Sequence, residues 1–243
     1  PTQFKRVAVV GVGAMSALAS AEDEMATKVA GESLARGSER MGAAQRKGMG
    51  YMTDITDGMQ LLQAYKEARN TVRHQAEVEK GVVRSAAALF TNPMDGQKKL
   101  AGFESLIDKR ATALQSEVDA FYRLRAEQKK VTVAKADMTS AEKEAAKLTA
   151  ERVQVQGGGG GGGFGGGQAA LIARANLTPE ERANLGKIPQ HMNAELNILL
   201  GQKKSVLEIR DFLAGEFDPL PLEDLMAYFR AMQKVGTVKL TGK

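Results

Sequence analysis

Over most of the chain, apolar residues recur at the three- and four-residue spacing of an α-helix, with charged residues between them. Residues 22–90 contain no proline, so the spacing predicts one helical stretch there. Its earlier part is the weaker one, because glycine recurs in it and each interior glycine costs about 1 kcal/mol relative to alanine. The more regular part of the pattern comprises Leu61, Leu62, Tyr65, Val72, Val78, Val82 and Leu89.

A short interruption separates this stretch from a second helical pattern. The Asn-Pro and Asp-Gly pairs within residues 91–96 are turn signals, and proline ends the incoming helix. The pattern over about 97–149 then falls near a heptad repeat, with charged residues at the intervening positions. Its apolar members are Leu100, Phe103, Ile107, Leu114, Phe121, Leu124, Val131, Met138 and Ala145. Because two long helices joined by a short turn lie antiparallel, residues 22–156 are predicted to form a long antiparallel helical hairpin of coiled-coil type.

Two local features mark the later part of the second pattern. Val131–Val133 is a β-branched interruption that favours a bend in the helix. Thr139 is followed by Glu142 at the spacing of a capping box, which indicates that a helix restarts at this point.

The chain then enters a run of glycine. Residues 157–167 are glycine at every position except Phe164. Glycine loses more backbone freedom on ordering than any other residue, so neither helix nor strand is expected in this run. We interpret it as a linker that tethers a small C-terminal domain, residues 168–243, to the hairpin, with Phe164 as the one side chain able to anchor it.

The C-terminal domain is predicted to consist of short helices. Thr178 followed by Pro179 marks one helix start, and Ser205 caps a later one. Over about 193–240 the order is helix, helix, loop and helix, followed by Gly236 and an alternating strand. This order resembles the winged-helix or helix-turn-helix arrangement, and the resemblance implies a small compact domain.

DNA binding does not follow easily from this resemblance. The helix that would enter the DNA groove begins with Glu223 and Asp224, where residues that contact bases or phosphates normally lie. The net charge of +5 is scattered among acidic residues and forms no concentrated basic face. We therefore expect a domain that docks on protein, with nucleic acid as the weaker alternative.

The N-terminal residues 1–21 have two main interpretations. A short positive region at Phe4–Arg6, the apolar run Val7–Ala19 and small residues before the acidic Glu22 are typical of a cleaved secretory signal peptide. The alternative is a retained apolar segment that packs against partners or contacts a membrane through residues 4–21.

A third interpretation of the N-terminal residues is a dinucleotide-binding turn. Gly11–Ser16 partly matches the GxGxxG turn of such folds. Ser16 replaces the third glycine, and no second strand follows at the required distance, which argues against nucleotide binding.

The remaining composition offers no catalytic constellation. The chain has no cysteine, which excludes thiol chemistry, and its two histidines, His74 and His191, lack metal-ligand spacing to other residues. No nucleophile elbow or phosphate-binding loop is present. We therefore predict no enzymatic activity, no cofactor and no metal.

The leading hypothesis is a non-enzymatic structural or assembly protein that forms homo-oligomers within a larger assembly such as a virion. The hairpin would make the scaffold contacts, and the tethered domain would dock a neighbouring subunit. The alternatives are an exported periplasmic adaptor or binding module of the cell envelope and, more weakly, a DNA-binding regulator. The candidate partner-docking residues are Phe103, Phe121, Leu124, Phe164, Phe212 and Phe229.

Overall fold

The structure is a computed structural model, and it describes residues 23–153 and 171–242. The described residues are mainly helical and include a two-stranded sheet, which confirms the predicted mainly α fold. The chain divides into two compact units, the first ending at Val133 and the second beginning at Ala134. Residues 1–21, whose interpretations are given above, lie outside the described residues.

Three long helices build the first unit, and each contacts the other two. They are α1 (Asp23–Gly50), α2 (Gly58–Ser85) and α3 (Pro93–Lys129), with a 3₁₀ turn at Ala86–Leu89. Helix α2 runs antiparallel to both of its neighbours, since contacts that advance along α1 or α3 recede along α2. The core includes small side chains such as Ala30 and Ala68 together with larger ones.

The predicted helix over 22–90 is interrupted between Gly50 and Gly58. Helix α1 ends in a turn in which the Tyr51 amide donates to the Gly48 carbonyl at 3.1 Å. Helix α2 then begins because the Asp57 side chain accepts a hydrogen bond from the Gln60 amide at 2.9 Å. A stretch without proline is therefore not sufficient for a continuous helix. Where the sequence predicts the two helices of a hairpin, the first unit has three.

The second predicted helix also ends earlier than expected, at Lys129. Lys130 takes the left-handed conformation (φ 56°), and the Val131 amide donates back to the Ala126 carbonyl at 3.0 Å. The prediction of a helix reaching Thr149 is wrong. The predicted restart is confirmed, because Thr139 and Glu142 form a capping box at the start of the next helix.

The second unit combines short helices with the sheet. Its elements are α4 (Ser140–Lys147), β1 (Leu148–Arg152), α5 (Pro179–Asn184), α6 (Asn193–Leu199), α7 (Val206–Glu216), α8 (Leu222–Val235) and β2 (Val238–Gly242), with a 3₁₀ turn at Gln190–Met192. The predicted starts at Thr178 and Ser205 are confirmed as capping boxes. Phe229, Ile209 and Leu213 have no exposed surface and lie in the core of the unit.

Strands β1 and β2 pair antiparallel, with Ala150 opposite Leu240. Strand β1 precedes the glycine run and β2 follows it, so both flanks of the run belong to the second unit. The prediction that residues 157–167 separate the two units is corrected by this pairing. The run itself, including Phe164, lies outside the described residues.

The sheet also bears on the winged-helix resemblance. Helices α6, α7 and α8 are followed by a strand, in the order that the sequence predicts. The partner of β2 is an earlier segment of the chain, and Thr149 of that segment also bridges to Ser205 just before α7. The winged-helix assignment stays a prediction.

Packing between α1 and α2 leads to a first testable prediction. A Cβ atom added at Gly48 would lie 2.8 Å from the Ala68 Cα atom, a contact that the backbone cannot relieve cheaply. We expect Gly48→Ala to lower the free energy of unfolding by about 1–3 kcal/mol through overpacking. Chemical denaturation followed by circular dichroism measures this change.

The matched control is Gly81→Ala in α2, where an added Cβ meets no heavy atom of the described residues within 4 Å. Alanine has the higher helix propensity, so this variant should raise the free energy of unfolding by about 0.5–1 kcal/mol. Equal effects of the two substitutions would contradict the close approach of α1 and α2.

Candidate functional site

A buried carboxylate fixes α1 against α2. The Glu79 side chain is 1% exposed, and it accepts hydrogen bonds from Arg40 Nε at 2.7 Å and from Gln75 Nε2 at 2.6 Å. Gly37 makes room for this carboxylate, because a Cβ there would lie 2.7 Å from Glu79 Oε2. The hydrogen bond from Arg40 to Glu79 raises the pKa of the guanidinium.

A second polar group fixes α3 against α2. The Tyr65 hydroxyl donates to Asp119 Oδ1 at 2.8 Å, and Arg69 Nη1 donates to the same oxygen at 3.0 Å. The Tyr65 ring also stacks on the Tyr122 ring with 4.2 Å between centroids. Burial raises the pKa of Tyr65, so its hydroxyl keeps the proton that it donates. These contacts set the rotation of α3 and therefore which of its residues face solvent.

The side of α3 that faces solvent carries apolar residues. Leu106 is 50% exposed and Leu124 is 47% exposed. Ala113 and Ala120 are also exposed. The heptad spacing of Leu106, Ala113 and Ala120, followed by one further turn to Leu124, places all four on one side of the helix. We call this surface, Leu106, Ala113, Ala120 and Leu124, the α3 outer face.

The structure separates the predicted docking residues into different environments. Leu124 lies on the α3 outer face. Phe103 and Phe121 are partly buried against the core of the first unit, and Phe212 is partly buried against the core of the second. Phe229 is fully buried, so it stabilises the fold and is removed from the docking candidates. Phe164 lies outside the described residues.

The acidic start of α8 is also visible in the structure. Glu223 is exposed, and Asp224 forms an ion pair with Lys187 at 3.0 Å. Arg210 lies in the interior of the unit, where its Nε donates to the Leu220 carbonyl at 3.0 Å. This arginine therefore holds the connection between α7 and α8 in place.

A groove lies between α6 and α8 in the second unit. Its volume is about 450 Å³, within the range of ligand-binding clefts. We call it the α6–α8 groove, and the described residues that line it are Ile172, Leu185, Gln190, Asn193, Ala194, Asn197, Tyr228 and Met232. None of these residues carries a formal charge. The sequence alone does not indicate this site, because its members come from separate segments and match no motif.

Asn197 is the fixed carboxamide of the groove. Its Oδ1 accepts a hydrogen bond from Arg152 Nη2 at 2.6 Å, and its Nδ2 donates to the Asn193 carbonyl at 2.5 Å. Burial raises the pKa of Tyr228, so the phenol stays protonated well into the alkaline range. The groove therefore combines an aliphatic wall with uncharged hydrogen-bonding groups.

Comparison of the chain with protein-family models, with curated proteins and with solved structures found no match.

Across residues 23–153 and 171–242, no group of three or more histidine, aspartate and glutamate side chains is arranged to hold a metal ion. In the same residues, no helix has both the length and the apolar character needed to cross a membrane.

An ion pair between α5 and α8 leads to a second testable prediction. Lys234 Nζ of α8 lies 2.7 Å from Glu181 Oε2 of α5. The lysine hydrogen bond, with help from the Thr178 amide, lowers the pKa of the Glu181 carboxyl. The folded-state pKa is thus below the unfolded one, so the stabilisation is present above the unfolded pKa and is lost as pH falls through the folded pKa.

We expect an NMR titration of the Glu181 carboxyl carbon to show a midpoint below the ordinary glutamate value, and Lys234→Gln to raise that midpoint. The control is Lys187→Gln, which removes the partner of Asp224 and should leave the Glu181 midpoint in place. An unchanged midpoint in Lys234→Gln would contradict the pair.

Proposed function

We propose that this chain is a non-enzymatic structural or assembly protein. In this proposal the first unit makes scaffold contacts with other copies of the chain through the α3 outer face, and the second unit docks a neighbouring subunit. The observation that carries the proposal is the pair of half-exposed leucines, Leu106 and Leu124, on one side of a helix whose rotation is fixed by polar contacts.

The dimensions of the α3 outer face suit helix–helix association. Leu106 and Leu124 lie about 27 Å apart at 1.5 Å per residue. Between them, Ala113 and Ala120 present small side chains, which allow the backbone of a partner helix to approach closely. Arg110 and Glu117 are exposed on the same side of the helix, so the surface combines large and small apolar residues with one charge of each sign.

The energetics also favour covering these leucines. Fully burying a leucine stabilises a contact by about 1.5–3 kcal/mol, so covering the exposed half of one contributes about 1 kcal/mol. Leu106 and Leu124 in two copies would together supply about 4 kcal/mol. Such a contribution offsets the low end of the roughly 4–15 kcal/mol that association costs, so further contacts in an assembly supply the net affinity.

The proposal predicts that self-association depends on the α3 outer face. The double substitution Leu106→Gln with Leu124→Gln should weaken the association constant by at least about tenfold, because it removes apolar contact and adds amides that need hydrogen bonds. Sedimentation velocity over a range of protein concentrations measures the effect.

The matched control is Val78→Gln with Val82→Gln on α2, whose side chains are 38% and 39% exposed. It changes a comparable number of exposed apolar side chains on another helix and should leave association unchanged. Circular dichroism checks that both variants remain folded. A wild-type chain that stays monomeric at all concentrations, or equal weakening by the control, would overturn the proposed scaffold contact.

A further inference from the structure

The α6–α8 groove has hydrogen-bonding groups that the fold itself does not use. Among the described residues, the Gln190 and Asn193 side chains and the Tyr228 hydroxyl have no hydrogen-bond partner. Asn197 is held by Arg152 and by the Asn193 carbonyl, and it still has one N–H group to donate. Uncommitted polar groups thus lie around the groove beside one carboxamide that is already positioned.

The other residues that line the groove are apolar, so a ligand would also need an apolar group. Ile172, Leu185, Ala194 and Met232 supply an aliphatic surface. Met232 is 4% exposed, and its side chain belongs to the core of the unit, so this part of the surface is rigidly supported. A ligand that fits must therefore present an apolar group next to groups that both donate and accept hydrogen bonds.

None of the described lining residues is charged, which further restricts the chemical class of ligand that the groove could bind. A carboxylate or ammonium transferred into this groove would lose hydration without gaining an opposite charge from a lining residue, which is costly, and the guanidinium of Arg152 beside the groove is already engaged by Asn197. A carboxamide, in contrast, offers a donor and an acceptor in one planar group, and it pairs naturally with a peptide group. The lining thus matches an uncharged peptide segment with one aliphatic side chain.

We propose that the α6–α8 groove binds a short uncharged peptide segment of a neighbouring protein, with its backbone on the carboxamides and one aliphatic side chain against Ile172, Leu185 and Met232. This inference rests on the proposed docking function of the second unit and specifies its partner chemistry. Tyr228 donates its phenolic proton to a peptide carbonyl in this arrangement.

The test uses three synthetic peptides and the full chain labelled with ¹⁵N. The peptides are acetyl-Ala-Leu-Ala-amide, acetyl-Ala-Glu-Ala-amide and acetyl-Ala-Lys-Ala-amide. We expect the leucine peptide to produce saturable NMR shifts at the side-chain amides of Gln190 and Asn193 and at the backbone of Ala194. The charged peptides should bind at least about tenfold more weakly.

Two variants localise the binding. Ala194 is exposed and lines the groove, so Ala194→Phe should fill the groove and abolish the shifts without disturbing the core. Ala183→Phe is the control, since Ala183 is exposed in α5 and is not among the lining residues. It should bind the leucine peptide as the wild type does.

A third variant tests the charge argument. Asn193→Asp keeps the size of the side chain and places a carboxylate in the groove, so the leucine peptide should bind more weakly and the lysine peptide more tightly. Equal binding of the three peptides by the wild type, retained binding in Ala194→Phe, or saturable shifts with maltose in place of the peptide would overturn the proposal.

Failure of this inference is distinguishable from failure of the proposed function. Self-association through the α3 outer face is measured by sedimentation and does not involve the groove. A chain that associates but binds no peptide refutes the groove alone, whereas a chain that binds the peptide and stays monomeric refutes the scaffold contact alone.

Discussion

The buried carboxylate of Glu79 constrains how α1 and α2 pack in the first unit. A carboxylate with 1% exposure is tolerated only when hydrogen bonds and an opposite charge replace its hydration, and here Arg40 and Gln75 supply them. Gly37 leaves room for it, since a Cβ there would lie 2.7 Å from Glu79 Oε2. Burying and pairing one charge therefore sets both the rotation and the axial position of α1 on α2.

The position of α3 follows from the same principle. Asp119 accepts hydrogen bonds from both Tyr65 and Arg69, so a rotation of α3 would break contacts to two α2 side chains at once. Apolar packing alone would specify this rotation less sharply, because aliphatic contacts are not directional. The exposure of Leu106 and Leu124 is a consequence, since residues on the side away from these polar contacts are the ones left to solvent.

How much of this could be predicted from the sequence depended on the range of the interactions. The sequence predicts the helix starts at Thr139, Thr178 and Ser205, because each is set by a capping box whose residues lie within one helical turn. The end of α3 was missed, because Lys130 in a left-handed conformation is not the glycine that usually marks such an end. The mainly α class needed only the spacing of apolar residues.

Structural features formed by segments far apart in the chain cannot be predicted from such local patterns. Strand β1 follows directly from a helix, and its pairing with β2 joins segments on opposite sides of the glycine run. The sequence predicts Phe229 as a docking residue because an aromatic on an amphipathic helix has the same pattern whether it faces a partner or the core of its own unit. The structure places it in the core. The α6–α8 groove likewise assembles from α5, α6, α8 and Ile172, none of which is distinctive alone.

The two candidate surfaces differ in the physics that would govern their use. The α3 outer face presents exposed leucine and alanine side chains, so its affinity would grow with apolar contact area and with the number of copies arranged side by side. The α6–α8 groove is small, and carboxamides are among its lining residues. It would therefore discriminate between ligands because a ligand that does not fit leaves buried polar groups without hydrogen bonds. A protein that uses both would separate the strength of an assembly from the choice of neighbour, because each depends on different residues in a different unit.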